Sequence, residues 1–240
     1  DYVEVPDNKY YTVFESVFST LAPGITQEIK KATTADNKQI VYYIATADIN
    51  RSDVNIYANY NENDPSLGWE MSRVLDQAQA AQDNWSNPDF KGYSWTPEGL
   101  GYIENYNVIT AINADGFNMS TGEPGGLLVM HGYEWHPING SGFFGILKDG
   151  TAMIGTMAEY NAVKDQVAEG VGGFGTMLVK DGKIAVSRTE NYYSDRASRT
   201  AVGITKSGKV IFMVLDGRQE PVSCGGSMQE IAQIMLEAGC

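Results

Sequence analysis

The stretch Ala201-Val-Gly-Ile-Thr-Lys-Ser-Gly-Lys-Val-Ile-Phe-Met-Val-Leu-Asp216 decides the fold. Two apolar, β-branched runs flank a Ser-Gly step, and that pattern is a hairpin signal. The same device occurs twice upstream. Phe143 to Gly155 turns at Asp149-Gly150, and Phe174 to Val186 turns at Asp181-Gly182. Hairpins join antiparallel strands, so the three together predict a meandering antiparallel sheet. Their spacing is irregular, which argues against a solenoid.

Working outward, Gln39 to Asp48 is a β-branched and aromatic run that predicts a buried strand. Asp53 to Asn59 alternates polar with apolar residues and predicts a second. Asn107 to Asn113 and Gly126 to Gly132 predict two more. Met71, Val74, Leu75, Ala78 and Ala81 fall at helical spacing, so a helix is expected within Gly68 to Asp83. Residues 84–104 hold Trp85, Pro88, Gly92, Trp95, Pro97 and Gly99, which reads as a long loop with aromatic anchors. Met157 to Val167 fits a short helix or a strand and loop. Ser227 with Glu230 forms a capping box, and Met228, Ile231, Ala232 and Met235 make one apolar face of a final helix. Residues 1–38 read as an N-terminal lead-in and 39–240 as the folded body. No βαβ unit repeats, so the fold class is α+β: a mainly antiparallel twisted sheet of hairpins with packed helices.

Composition narrows the function. The 17 Lys and Arg face 30 Asp and Glu, a net charge of −13. A body so acidic repels nucleic acid backbones, and an anionic substrate would need a local cluster of cations or amides. No apolar run is long enough to span a membrane. The 2 cysteines, Cys224 and Cys240, read as free buried thiols, with a bridge between them the other option. His131 and His136 have no carboxylate in helical register, and the acidic stretch at Glu62 and Asp64 lacks calcium-loop spacing. No metal and no cofactor are expected.

Four features could carry chemistry. Asn113 and Asp115 end a predicted strand and point to one side of an extended backbone. Arg199 precedes an apolar strand, where a guanidinium at a sheet end could grip a phosphate or carboxylate. Asp216 and Arg218 follow the very apolar run to Leu215. Gly225, Gly226 and Ser227 open onto the capped helix, whose N-terminal amides favour anions. Each has an ordinary structural reading, a turn, a surface charge or a plain helix start, that is the stronger one taken alone.

Their order along the chain is more specific. Ala-Ile-Asn-Ala-Asp-Gly-Phe-Asn118, then Thr-Gly-Glu-Pro-Gly-Gly126, then Arg199-Thr-Ala-Val-Gly, then Asp216-Gly-Arg-Gln, then Gly225-Gly-Ser-Met-Gln-Glu resembles the phosphodiester glycosidase family. That family includes a bacterial domain of unknown function and the enzyme that uncovers mannose-6-phosphate. The resemblance implies hydrolysis of a sugar-1-phosphodiester at its glycosidic bond. It implies catalytic roles for Asp115, Asp216 and Asn113, and phosphate binding by Arg199, Arg218, Thr200, Gly225, Gly226 and Ser227. The partner implied is a sugar-phosphate or glycan, and the location implied is extracytoplasmic. The family's Leu-Asp-Gly-Gly-Gly-Ser type motif is absent before Cys240, so a domain truncated at its C-terminus is expected. A non-catalytic glycan or cell-envelope binding protein on the same fold is the alternative.

Overall fold

The computed structural model describes residues 7–60, 68–139, 142–186 and 195–240. The acidic stretch at Glu62 and Asp64 lies outside them. The chain forms two compact units, one from Asp1–Val54 with Thr176–Cys240 and the other from Asn55–Gly175.

The first unit is a five-stranded antiparallel sheet. Its strands are β1 (Tyr11–Ala22), β2 (Ile25–Thr34), β3 (Gln39–Ala47), β11 (Arg199–Ile204) and β12 (Val210–Leu215), in the order β1-β2-β3-β12-β11. Residues 11–34, read from the sequence as lead-in, are the β1–β2 hairpin and pair onto β3. The 201–216 hairpin forms as expected, and Val210 to Leu215 lie against Ala47 to Tyr42. Helix α3 (Met228–Glu237) covers one face, with Met228, Ile231, Ile234 and Met235 packed on Ile40, Tyr42, Ile44, Ala201, Met213 and Leu215. The Asp181-Gly182 hairpin is short, β9 (Val179–Lys180) with β10 (Lys183–Ile184).

The second unit carries a second antiparallel sheet. It consists of β4 (Leu128–Met130), β5 (Tyr133–His136), β6 (Gly142–Leu147), β7 (Ala152–Gly155) and β8 (Val167–Gly173), in the order β5-β4-β8-β6-β7. The expected single meander is therefore divided, among the described residues, into a five-stranded sheet in each unit and the two-stranded β9–β10 hairpin in the first. Helix α1 spans Val74–Trp85, starting later than the periodicity suggests and ending on the buried Trp85. Met157 to Val167 resolves as helix α2 (Met157–Val163) and a 3₁₀ turn. Thr156 and Glu159 form a capping box that the sequence reading did not pick out.

Two predicted strands do not form. Asp53 to Asn59 and Asn107 to Asn113 pair with no strand among the described residues, and one amide of each bonds a side chain instead. Ala58 N–H donates to the Glu169 carboxylate at 3.1 Å, and Val108 N–H donates to Gln82 Oε1 at 2.7 Å. Residues 86–104 hold no helix or strand, as expected of a loop. The two cysteines are free thiols, Cys224 buried and Cys240 partly so. No described helix is long and apolar enough to cross a membrane.

Candidate active site

In the first unit, three segments meet at one end of β11 and β12. Ala197 bridges Gly226, with Gly226 N–H donating to Ala197 O at 2.9 Å. A Cβ on Gly217 would lie 2.3 Å from Ser198 N, so the Asp216 turn also runs close against that segment. Arg199, Thr200, Asp216, Arg218, Gly225, Gly226 and Ser227 therefore share one neighbourhood.

Sheet register sorts them. Arg199 pairs with Leu215 and Thr200 with Val214. Period two turns Arg199 to the α3 side, together with Ala201 and Leu215, and Thr200 to the other. Arg199 Nε donates to Gly226 O at 3.2 Å, and Nη2 donates to Asp195 O at 2.9 Å. Asp216 follows Leu215 on the face of Thr200 and Tyr43, and Tyr43 Oη donates to its Oδ2 at 3.4 Å. The buried Ser223 fixes the Asp216 backbone, its Oγ donating to Asp216 O at 2.6 Å and accepting from Val41 N–H at 3.1 Å. Arg218 is exposed and has a left-handed φ of 60°, a conformation that costs energy in a long side chain.

The start of α3 already holds an anion. Glu230 is buried, and its Oε2 accepts from Ser227 N–H at 2.8 Å and from Arg196 Nη1 at 2.6 Å. Ser227 Oγ accepts from Glu230 N–H in return at 3.3 Å. Arg196 also donates to Gly225 O at 3.2 Å and to Asp36 at 2.6 Å. Gly225, at φ 91°, is glycine for a clear reason: a Cβ there would sit 2.8 Å from Ala197 backbone atoms. What the Gly225-Gly226 turn approaches is thus the chain itself.

In the second unit, Asp115 occupies a pocket made by absent side chains. A Cβ on Gly126 would fall 2.2 Å from its Oδ2, and one on Gly172 would fall 2.3 Å away. Oδ1 accepts from Gly116 N–H at 2.6 Å, while the buried Oδ2 has no partner among the described residues. Burial raises the Asp115 pKa above the usual carboxylate range, with the Gly116 amide and the charge of His136 pulling the other way. Asp115 also carries a positive φ, 39°. His136 Nδ1 donates to Gly126 O at 2.8 Å, which turns Nε2 toward Glu123 Oε1 at 3.7 Å. Asn113 is exposed on the segment that leads to Asp115.

A model of the phosphodiester glycosidase family matches residues 106–240, more than half of the chain, and spans both groups of residues. The chain belongs to the phosphodiester glycosidase family. No curated protein sequence matches it. Among solved structures, the zebrafish N-acetylglucosamine-1-phosphodiester alpha-N-acetylglucosaminidase catalytic domain, auto-inhibited by its pro-peptide, is similar in fold. The TM-score is 0.62 at 16% identity, covering 96% of this chain and 73% of that one. A hypothetical protein from Synechocystis gives a TM-score of 0.58 at 13% identity, covering 95% of this chain and 57% of that one. The α+β architecture of this phosphodiester glycosidase family member is thus shared with both.

Sequence reasoning missed Tyr43, Arg196 and Ser223, weighed His136 only as a metal ligand and Glu230 only as a helix cap, and had no signal for the Glu230–Arg196 ion pair. Among the described residues no three His, Cys, Asp or Glu side chains converge on a cation position. Glu169 is buried and accepts from His131 Nδ1 at 3.2 Å within an aromatic cluster of Tyr57, Trp85, Trp95 and Tyr106. Desolvation raises its pKa, and His131 works against that.

Proposed function

We propose that this protein hydrolyses the glycosidic bond of a sugar-1-phosphodiester. Family membership supports the reaction class. The observation that carries the chemistry is Asp115, a carboxyl with a buried, unpartnered oxygen and a raised pKa. Such a group keeps a proton near neutral pH better than an ordinary aspartate and suits a general acid. In this reading Asp115 protonates the phosphate oxygen as its bond to the sugar C1 breaks, while water adds at C1 and gives up a proton to solvent.

Within the first unit, the exposed Arg218, and Thr200 on the face of Asp216, are the groups suited to an anion, and Asp216 is the carboxylate suited to a general base. Asn113 contacts the sugar. Arg199 holds the Gly226 and Asp195 carbonyls, and so acts by positioning the turn that ends near Asp216. The name of the zebrafish relative suggests N-acetylglucosamine as the sugar to try first. Glycan chemistry and the acidic charge support a location outside the cytoplasm.

The test is release of N-acetylglucosamine from UDP-N-acetylglucosamine or from a methyl N-acetylglucosamine-1-phosphodiester. It is run beside Asp115→Asn, Asp216→Asn and Arg218→Ala. Turnover that survives all three substitutions would remove these site assignments. The aromatic cluster of the second unit favours one other reading, a glycan-binding protein without catalysis. Saturable sugar binding with no turnover by the native protein would select it.

A further inference from the structure

Among the described residues, strand β1 lies at the edge of the first sheet and pairs only with β2, with register irregularities between Val13 and Glu15 and between Thr20 and Ala22. It is 12 residues long, and ten of them in a row, 12–21, are exposed. Phe14 is 56% exposed and Phe18 62%, with Val13, Val17 and Leu21 also open to solvent. Val17 and Phe18 are adjacent, so apolar side chains stand on both faces of the strand. Natural edge strands are shielded by charges, prolines or a covering loop, and a long bare apolar one is a template for pairing. Here the strand holds one charged side chain, Glu15, which is already matched by Lys31 of the same chain at 2.9 Å.

We infer that β1 pairs with β1 of a second copy of this chain, antiparallel, and joins the two sheets across a two-fold axis. Three observations select this occupant. A docked helix would cover one face of the strand, whereas an added strand lies beside both. Two copies of a net −13 chain repel each other, and β1 is a long surface strip where the local charge is balanced. The partner must also offer a free, uncharged edge of equal length. The other edge of this sheet, β11, has 6 residues and is half-buried, so β1 matches another β1 and not a β11. A register centred on Val17 sets Glu15 against Ser19 and Val17 against its own copy, so no like charges face each other. The pairing consumes the edge in both copies and closes as a dimer.

This inference is independent of the catalytic reading. Sedimentation velocity of the native protein from micromolar to submillimolar concentration should show a monomer–dimer equilibrium. Val17→Lys and Phe18→Lys should each weaken it by more than tenfold. Both side chains are exposed, so an unchanged circular dichroism spectrum and Tm are expected beside the loss. Val17→Cys should form a disulfide-linked dimer under oxidation, at a yield the native protein does not reach. A native protein that stays monomeric throughout, or a dimer indifferent to both lysines, overturns the proposal.

Discussion

Asp115 combines a left-handed φ, a buried oxygen with no donor among the described residues, and two glycines where any other residue would collide with it. Replacing it by Asn keeps the size and removes the proton. Turnover should fall by about 10²–10⁴. In the native protein kcat/KM should decline as pH rises through the raised Asp115 pKa, and this limb should be missing from the residual activity of the variant. Stability falls over the same pH range. Below about 3.9 the carboxyl is protonated both folded and unfolded and costs nothing. Between there and its raised folded value the unfolded chain loses the proton first, so stability falls, and above it the full cost remains. The Tm of Asp115→Asn should therefore gain on that of the native protein as pH climbs through this window. Gly126→Ala and Gly172→Ala should each displace the carboxyl and cut turnover, and normal activity in both would show that the cradle does not matter. Asp115 was legible in the sequence as a polar residue after an apolar run. The upward shift of its pKa was not, because Gly172 and His136 reach it only through the fold.

At the scale of elements, the start of α3 was the clearest signal in the chain, and the structure keeps it. Ser227→Ala removes the acceptor for Glu230 N–H and should cost about 1 kcal/mol, or about 2–4 °C in Tm by calorimetry. Arg196→Ala should cost more, about 3–5 kcal/mol, since it leaves the Glu230 carboxylate buried without its cation. Arg196→Met combined with Glu230→Gln should recover much of that loss. If the single variant melts like the native protein, the pair is not structural. The hairpins at Asp149, Asp181 and Ser207 were legible because each turn and both its strands are local. The strands expected at 53–59 and 107–113 failed for the opposite reason. Their alternation had no distant strand to pair with, and Glu169 and Gln82 each take one amide, of Ala58 and Val108.

Over the whole molecule, the antiparallel α+β class was legible and the division into separate sheets was not. Sheet membership depends on which distant strand pairs with which, as when β12 inserts beside β3, and local patterns carry no record of that. The lead-in reading failed similarly, since β1 is so exposed that its sequence resembles a segment without a core. Net charge is a property of the whole chain and gives its own prediction. Self-repulsion at −13 should make Tm rise with added sodium chloride at neutral pH, and KM for an anionic substrate should fall over the same range. A Tm independent of salt would mean that the charges are already compensated locally. Burial raises the pKa of both thiols, that of Cys240 to about 12, so both should react slowly with thiol reagents in the native state.

The carboxylate of Glu230 has a consequence for how this scaffold could change. It is a tenant in a seat that other helices rent to solutes, and Arg196 is already installed as the counter-cation. Shortening the tenant by Glu230→Gly would vacate the seat while leaving its wiring intact. Inorganic phosphate should then raise the melting temperature of the variant in a dose-dependent way, and leave that of the native protein where it was. A single nucleotide change (glutamate and glycine codons differ at one base) thus separates a self-sealed helix from a nascent receptor for anions.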